Sequence, residues 1–150
     1  MKLALASDHA GFELKMKLAS FLTSKGHEVL DLGTDNSKTP ADYPDFSAKA
    51  ARAVLKGEAE RAIVICGSGV GACVAANKFH GIRAGVCHDT YSARQGVEHD
   101  DMNVLCLGSR IIGEELAKEL VLAFTGASFS AEERHINRLA KIKTIEDKGE

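Results

Sequence analysis

The segment AIVICGSGVGACVAAN, residues 62–77, ends an apolar run with a cysteine and follows it with three glycines. Glycines after a strand let several backbone N–H groups converge on one anion, and a helix that starts there adds its positive end. A thiol beside such a loop can act as a nucleophile or as a general base. Cys66 and the loop around Gly67, Gly69 and Gly71 are therefore the first candidates for chemistry.

Three chemistries fit this loop. Gly67, Gly69 and Ala72 match a loose dinucleotide-binding pattern with Asp89 at a suitable distance, but the loop follows the third predicted strand rather than the first. Cys66 could instead carry a phosphoryl group, although the loop holds no arginine to wrap it. In the third chemistry, the thiolate abstracts a proton next to a carbonyl while the loop amides stabilise the enediolate.

Short apolar runs alternate with helical patterns along the whole chain. This alternation predicts a parallel sheet with right-handed crossovers and helices on both faces. The predicted strands cover residues 2–7, 28–32, 62–66, 83–87 and 103–108. The predicted helices include one with apolar residues from Leu14 to Leu22, ended by Gly26, and others at 46–58, 71–79, 90–97 and 113–124.

Polar and titratable residues follow the predicted strands at one edge of the sheet, where open parallel sheets bind ligands. Because strand ends meet water, part of this gathering is expected without any function. Strand ends supply Ser7, Asp8 and His9, then Cys66 and Ser68, then His88 and Asp89, and finally Ser109 and Arg110.

Residues 130–148 predict a last helix that no strand follows. Ser130 and Glu133 match a capping box, and an imperfect apolar stripe follows them. We expect one domain over residues 1–150, with this helix packed on a second subunit. Arg134 and Arg138 lie four residues apart and so share one face of the helix, where two guanidinium groups suit a phosphate.

The composition of the chain argues against some classes of binding partner. The chain has 150 residues, a formal net charge of -2 and no apolar run of membrane-spanning length, so neither nucleic acid nor a membrane is expected as a partner. Its four cysteines form no CxxC pair. We expect Cys73, Cys87 and Cys106 to be buried apolar side chains and the protein to be cytoplasmic.

Five motifs are spread over the chain: ASDHAGFELK at the start, DYPD at 42–45, ICGSGVGACVAANKFHGIRAGVC at 65–87, HDDMNVLCLGSRIIG at 99–113 and ERHINRL at 133–139. Together they resemble the ribose-5-phosphate isomerase B family, which includes allose- and galactose-6-phosphate isomerases. The resemblance implies a three-layer α/β/α sandwich with a five-stranded parallel, Rossmann-like sheet. It also implies an aldose–ketose isomerase without metal or organic cofactor, working as a homodimer or tetramer whose sites combine two subunits.

The resemblance also implies roles for single residues. Cys66 moves the proton between two sugar carbons, Ser68 assists at the oxygens, and His99, with Asp8 nearby, opens the furanose ring. The backbone amides from Gly67 to Gly71, including those of Gly69 and Val70, form the anion hole. His9, Arg134 and Arg138 hold the phosphate, with Arg110 a further candidate, and Tyr43 lines the sugar pocket.

The chain departs from the family pattern directly after His99. Asp100 stands where the family usually has an asparagine that contacts the sugar, and a carboxylate cannot donate a hydrogen bond unless protonated. Ribose 5-phosphate is the favoured substrate. A six-carbon sugar phosphate such as allose 6-phosphate or galactose 6-phosphate, or a binding homologue without catalysis, stays open as an alternative.

Overall fold

Five parallel strands form one sheet in the order β2-β1-β3-β5-β4 in the computed structural model, which describes residues 1–149. The strands are β1 (Lys2–Ser7), β2 (Glu28–Asp31), β3 (Arg61–Cys66), β4 (Ala84–Val86) and β5 (Val104–Gly108). The predicted parallel sheet is confirmed. β1, β3 and β5 are almost wholly buried, as their unbroken apolar runs require in a sheet covered on both faces.

Six helices connect and follow the strands, and they are α1 (Phe12–Ser24), α2 (Tyr43–Leu55), α3 (Val70–Ala76), α4 (Thr90–Asp100), α5 (Glu114–Gly126) and α6 (Glu133–Lys148). The predicted bounds shift by a few residues. α2 begins earlier than expected because Pro44 fits the first helical turn, where its missing N–H is not needed. Gly26 follows α1 with a φ of +88°, as expected for a helix-ending glycine.

The two faces of the sheet carry side chains of different size. One face presents Leu3, Leu5, Ile63 and other large residues to α1, α4 and α5. The opposite face is built mostly from alanine and valine of the strands and from small residues of α2 and α3. The small side chains let α2 and α3 lie close to the strands, so α3 is held tightly above the end of β3.

A buried lysine organises the long loop between β2 and α2. Lys15 is 1% exposed, and its Nζ donates to both carboxylate oxygens of Asp31 at 2.7 and 2.8 Å and to the backbone oxygen of Thr34 at 2.8 Å. Further along, the backbone N–H of Ala41 donates to His9 Nδ1 at 3.0 Å. The loop that leads to Tyr43 is thus fixed at both ends.

The last helix begins differently from the prediction. The predicted capping box is wrong: α6 has Glu132 at its N-cap, with no side-chain cap. The Ser130 hydroxyl pairs instead with His135 Nδ1 at 2.7 Å. α6 packs against α4, and it leaves Ile136, Ile142 and Ile145 exposed. Within residues 1–149, no helix is long and apolar enough to cross a membrane.

Candidate functional site

Cys66 ends β3 and lies directly beneath the glycine loop. Its side chain is nearly buried, and its Sγ accepts a hydrogen bond from the backbone N–H of Gly69 at 3.1 Å. That bond closes the turn between the strand and α3. The amide thus places a hydrogen-bond donor at the sulfur, and the thiolate is the form of a cysteine that can abstract a proton.

The loop presents backbone donors that nothing in residues 1–149 accepts. The N–H of Val70 donates to Ser68 Oγ at 3.2 Å, but those of Gly67, Ser68 and Gly71 have no hydrogen-bond acceptor among the described residues. Unpaired amides beside a thiol can stabilise an oxyanion that forms during a reaction. The loop can therefore hold negative charge beside the Cys66 sulfur.

Side chains from three other segments close a cleft of about 320 Å³ around the loop. Asp8 comes from the end of β1, where its carboxylate accepts from the backbone N–H of Gly11 at 3.1 Å. The ring of Tyr43 lies where any side chain at Gly71 would stand. Arg110 extends its guanidinium past Gly67. A carboxylate, a phenol and a guanidinium thus line the cleft with the thiol.

His9 lies beside this cleft rather than in its lining. Its Nδ1 lies 3.0 Å from the backbone nitrogen of Ala41 and 3.2 Å from the backbone oxygen of the same residue. The backbone of Ala41 therefore holds the imidazole ring in place beside the cleft.

His88 stabilises the end of β5 that contacts the glycine loop, a role that the sequence did not suggest. Its Nε2 accepts the backbone N–H of Gly108 at 2.9 Å. A side chain at Gly108 would come within 2.6 Å of the backbone oxygen of Ser68, so this end of β5 and the glycine loop are in close contact. The loop is therefore positioned through β5 as well as through its own turn.

The remaining predicted site residues form a second group at the other end of the sheet. Because the strands are parallel, Asp8 and Cys66 both lie at the C-terminal ends of the strands. α4 runs in the opposite direction and ends near the N-terminal end of β5. His99 and Asp100 are the last residues of α4, and Arg134 and Arg138 stand exposed on α6 beside it. Asp8 and His99 are expected to be close, but within one chain they are not. They lie at opposite ends of the strands, a whole strand length apart.

His99 instead stacks on a buried histidine that the sequence analysis missed. Its Nδ1 lies 2.8 Å from Gln95 Nε2, and its ring centroid lies 4.1 Å from that of His135. His135 is fully buried, and its Nε2 has no hydrogen-bond partner within the described residues. Burial, then the charges of His99 and Arg134, lower the pKa of His135. The neutral form of His135 can therefore stack against His99 without charge repulsion.

One group of metal-ligating side chains lies outside both clusters. Atoms of His80, Glu146 and Asp147 come within 4.8 Å of one another. Glu146 already accepts the N–H of Gly81, and Asp147 pairs with Lys143 at 2.9 Å. These carboxylates are thus engaged in holding α6 in place.

Gly69 is expected to be intolerant of any side chain. Its φ of +80° disfavours residues with a Cβ, and a Cβ there would lie 2.9 Å from the backbone carbon of Leu107. We expect Gly69→Ala to lower the free energy of unfolding by about 1–3 kcal/mol. Urea denaturation measures this change. Gly126→Ala is the control, because a Cβ at Gly126 meets nothing within 4 Å, and an unchanged midpoint for Gly69→Ala would contradict the expectation.

Comparison with known proteins finds one family throughout. A family model described as Ribose/Galactose Isomerase matches residues 3–142. The ribose-5-phosphate isomerase B of Escherichia coli K12 is 46% identical over 147 residues, which cover 98% of this chain and 97% of that protein.

Solved structures agree over the same length. That of Clostridium thermocellum ribose-5-phosphate isomerase B is 47% identical, covers 100% of both chains and superposes with a TM-score of 0.96. The ribose-5-phosphate isomerase B of Mycoplasma genitalium, solved with bound ribulose 5-phosphate, is 37% identical with a TM-score of 0.92 and covers 98% of this chain and 97% of that one.

Proposed function

The chain belongs to the ribose/galactose isomerase family, and from this membership we propose that it interconverts ribose 5-phosphate and ribulose 5-phosphate. One observation carries the proposal: the Cys66 thiol lies against a loop whose N–H groups at Gly67, Ser68 and Gly71 are free to bind an oxyanion. The bound ribulose 5-phosphate in the Mycoplasma genitalium relative supports the choice of a pentose phosphate.

The reaction moves one proton between neighbouring carbons. Cys66 as thiolate takes the proton from C2 of the open-chain aldose, and electrons flow to the carbonyl oxygen to give an enediolate. The loop amides stabilise the negative charge on that oxygen, which is greatest in the transition state. Ser68 passes a proton between the two oxygens, and the Cys66 thiol returns its proton to C1. No redox partner or metal is needed for this balance.

We propose that the active enzyme is a homodimer. A tetramer would consist of two such dimers. Cys66 and Asp8 lie at the C-terminal ends of the strands. His99, Arg134 and Arg138 lie at the opposite, N-terminal ends. A second copy can bring its own second group to the first cleft. The exposed isoleucines of α6 support a protein contact at that helix, since apolar side chains of this size are stabilised by burial.

In this arrangement the charges of the two groups complement the substrate. Arg134 and Arg138 of one subunit and His9 of the other hold the phosphate, with Arg110 at the cleft mouth. His99 of one subunit stands beside Asp8 of its partner and moves protons as the furanose ring opens. The free thiols among residues 1–149 agree with a cytoplasmic enzyme.

Turnover of two sugar phosphates tests the proposal. The wild-type protein is expected to isomerise ribose 5-phosphate with a higher kcat/KM than allose 6-phosphate, measured by the appearance of the ketose. Preference for allose 6-phosphate would move the function to six-carbon sugars within the same chemistry. No turnover of any aldose phosphate would contradict an isomerase and favour a binding homologue.

Asp100 is expected to weaken the binding of an anionic substrate. It is exposed at the end of α4 next to His99, and its carboxylate repels the phosphate and cannot donate to a sugar hydroxyl. Asp100→Asn is expected to lower KM for ribose 5-phosphate by about 3- to 10-fold, because roughly 1 kcal/mol of repulsion is removed and a donor is gained. Steady-state kinetics measure the change. Glu119→Gln, which removes an equal charge from an exposed site on α5, should leave KM unchanged, and an equal or higher KM in Asp100→Asn would contradict the assignment.

A further inference from the structure

The stack of His135 on His99 is held from a second direction by the segment between α5 and α6. The backbone N–H of Ser130 donates to the backbone oxygen of Glu98, the residue before His99, at 2.9 Å. The hydroxyl of the same serine pairs with His135 Nδ1 at 2.7 Å. Ser130 therefore ties the end of α4 to the ring of His135, so the contact between the two imidazole rings does not depend on helix packing alone.

The turn that places Ser130 there contains an unfavourable backbone conformation. Ala131 has a φ of +54°, in the left-handed region that residues with a Cβ rarely adopt. After it, the backbone N–H of Glu132 donates to Ser130 Oγ at 3.3 Å, and the backbone oxygen of Glu132 accepts from the N–H of His135 at 2.9 Å. Such a conformation persists only where the surrounding contacts require it, and it is typical of functional sites.

His135 can hold this place only as a neutral ring. It is fully buried, and its Nε2 has no hydrogen-bond partner within residues 1–149. Burial lowers the pKa of His135, and the charge of His99, followed by that of Arg134, lowers this pKa further. A second ring proton would put a cation in the core with an unpaired N–H. His135 is therefore unsuited to carry protons itself and offers His99 a fixed, uncharged surface.

We propose that His135 is a positioning residue for ring opening: its imidazole covers one face of the His99 ring and fixes the direction in which His99 presents its Nε2 to the sugar. This role rests on the function proposed above for His99. The other contact of the His99 ring is with Gln95, whose Nε2 lies 2.8 Å from His99 Nδ1. One ring atom and one ring face are thus held, and His99 Nε2 is the nitrogen left to act.

His135 also links His99 to the arginines proposed to hold the phosphate. Arg134 precedes His135 in α6, and Arg138 follows it by three residues. A movement of the His135 ring therefore changes the distance between His99 and both guanidinium groups. Since the sugar ring and the phosphate belong to one substrate, this distance decides whether both groups engage it at once.

Two substitutions of His135 in the full-length protein test the role of the ring. His135→Leu keeps a buried side chain but removes the planar ring, and kcat for ribose 5-phosphate should fall by about tenfold with KM within about threefold, since small misplacements of a catalytic group cost up to about 10²-fold. His135→Phe keeps a neutral ring for stacking and should retain most of the wild-type kcat. Equal losses in the two variants would overturn the proposal.

A double-mutant cycle separates positioning from general damage to the fold. His99→Asn lacks the second imidazole, so its residual rate comes from substrate that opens without help. In that background His135→Leu should lower kcat no further, because a positioning residue acts only through the group that it positions. A loss of the same size in both backgrounds would overturn the proposal.

Ser130→Ala tests the same contact without changing the core. It removes only the hydroxyl that pairs with His135 from an exposed residue, and kcat should fall by about threefold, which corresponds to the loss of one hydrogen bond. Ser128→Ala is the matched control, since it removes the hydroxyl of another exposed serine in the same segment. Equal kcat values in the two variants would contradict the role of Ser130 and His135.

Nuclear magnetic resonance of the histidine rings tests the stack without turnover. In protein with isotope-labelled histidine at pH 7, the His99 signals are assigned by their absence in His99→Asn. They should be shifted upfield by the ring of His135, in the wild type and in His135→Phe but not in His135→Leu. Absence of turnover in the wild type would overturn the proposed function and this role with it. Turnover with the same His99 signals in wild type and His135→Leu would overturn this role alone.

Discussion

Cys66→Ala is expected to reduce kcat for ribose 5-phosphate by about 10³-fold and to leave KM within about threefold, since a positioned base contributes roughly 10²–10⁴ to the rate. In the proposed mechanism the thiol is the proton-transfer group, and its loss leaves the loop amides in place to bind the substrate oxygens. The isomerisation rate at saturating substrate measures the effect. This split between kcat and KM separates a base from a residue that only binds.

The matched control is a second buried thiol. Cys87 is 6% exposed and is not among the residues that line the Cys66 cleft. Cys87→Ala loses a side chain of the same size and should keep kcat near that of the wild type. Comparable kcat values for Cys66→Ala and the wild type would remove Cys66 from the mechanism, and equal losses in both variants would indicate a packing effect.

Two inactive variants are expected to restore activity when they share a dimer. One carries Cys66→Ala, and the other carries Arg134→Ala with Arg138→Ala, whose exposed side chains can be truncated without disturbing the core. In a mixed dimer, the chain with native Cys66 meets the native arginines of its partner. Each mixed dimer has one of its two sites intact, so the isolated mixed dimers should show about half of the wild-type activity, and a random mixture about a quarter.

Co-expression with two affinity tags isolates the mixed dimers, and turnover of ribose 5-phosphate measures the recovery. Each variant expressed alone provides its control. If each site were built from a single chain, every site of the mixed dimer would lack either the thiol or the arginines. Activity no higher than that of the two parents would then exclude the composite site.

Local sequence patterns predicted the sheet because its strands are unbroken apolar runs that end at polar residues. The glycine loop could be named as a candidate site for the same reason, since the thiol and the glycines are neighbours in the chain. Pro44 marked the true start of α2, but the apolar pattern alone placed the helix three residues later, at Phe46. Boundaries depend on single hydrogen bonds that periodicity does not encode.

Contacts between distant segments could not be predicted in this way. Ser130 matched a helix cap in the sequence, but its hydroxyl pairs with the buried His135, whose ring stacks on that of His99. The bond that His88 accepts from Gly108 could not be predicted, because it joins segments twenty residues apart. The separation of Asp8 from His99 follows from the direction of α4, which is set by topology and not by local residues.

The difference in side-chain size between the two faces of the sheet bears on how the protein can evolve. On the face with large residues, exchanges among leucine, isoleucine and methionine alter shape but keep volume, and such cores adapt. On the alanine-rich face, nearly every substitution adds volume, and the added atoms would lift α3 away from β3. Sequence change in the core beneath α3 is therefore constrained, even at positions that do not line the cleft.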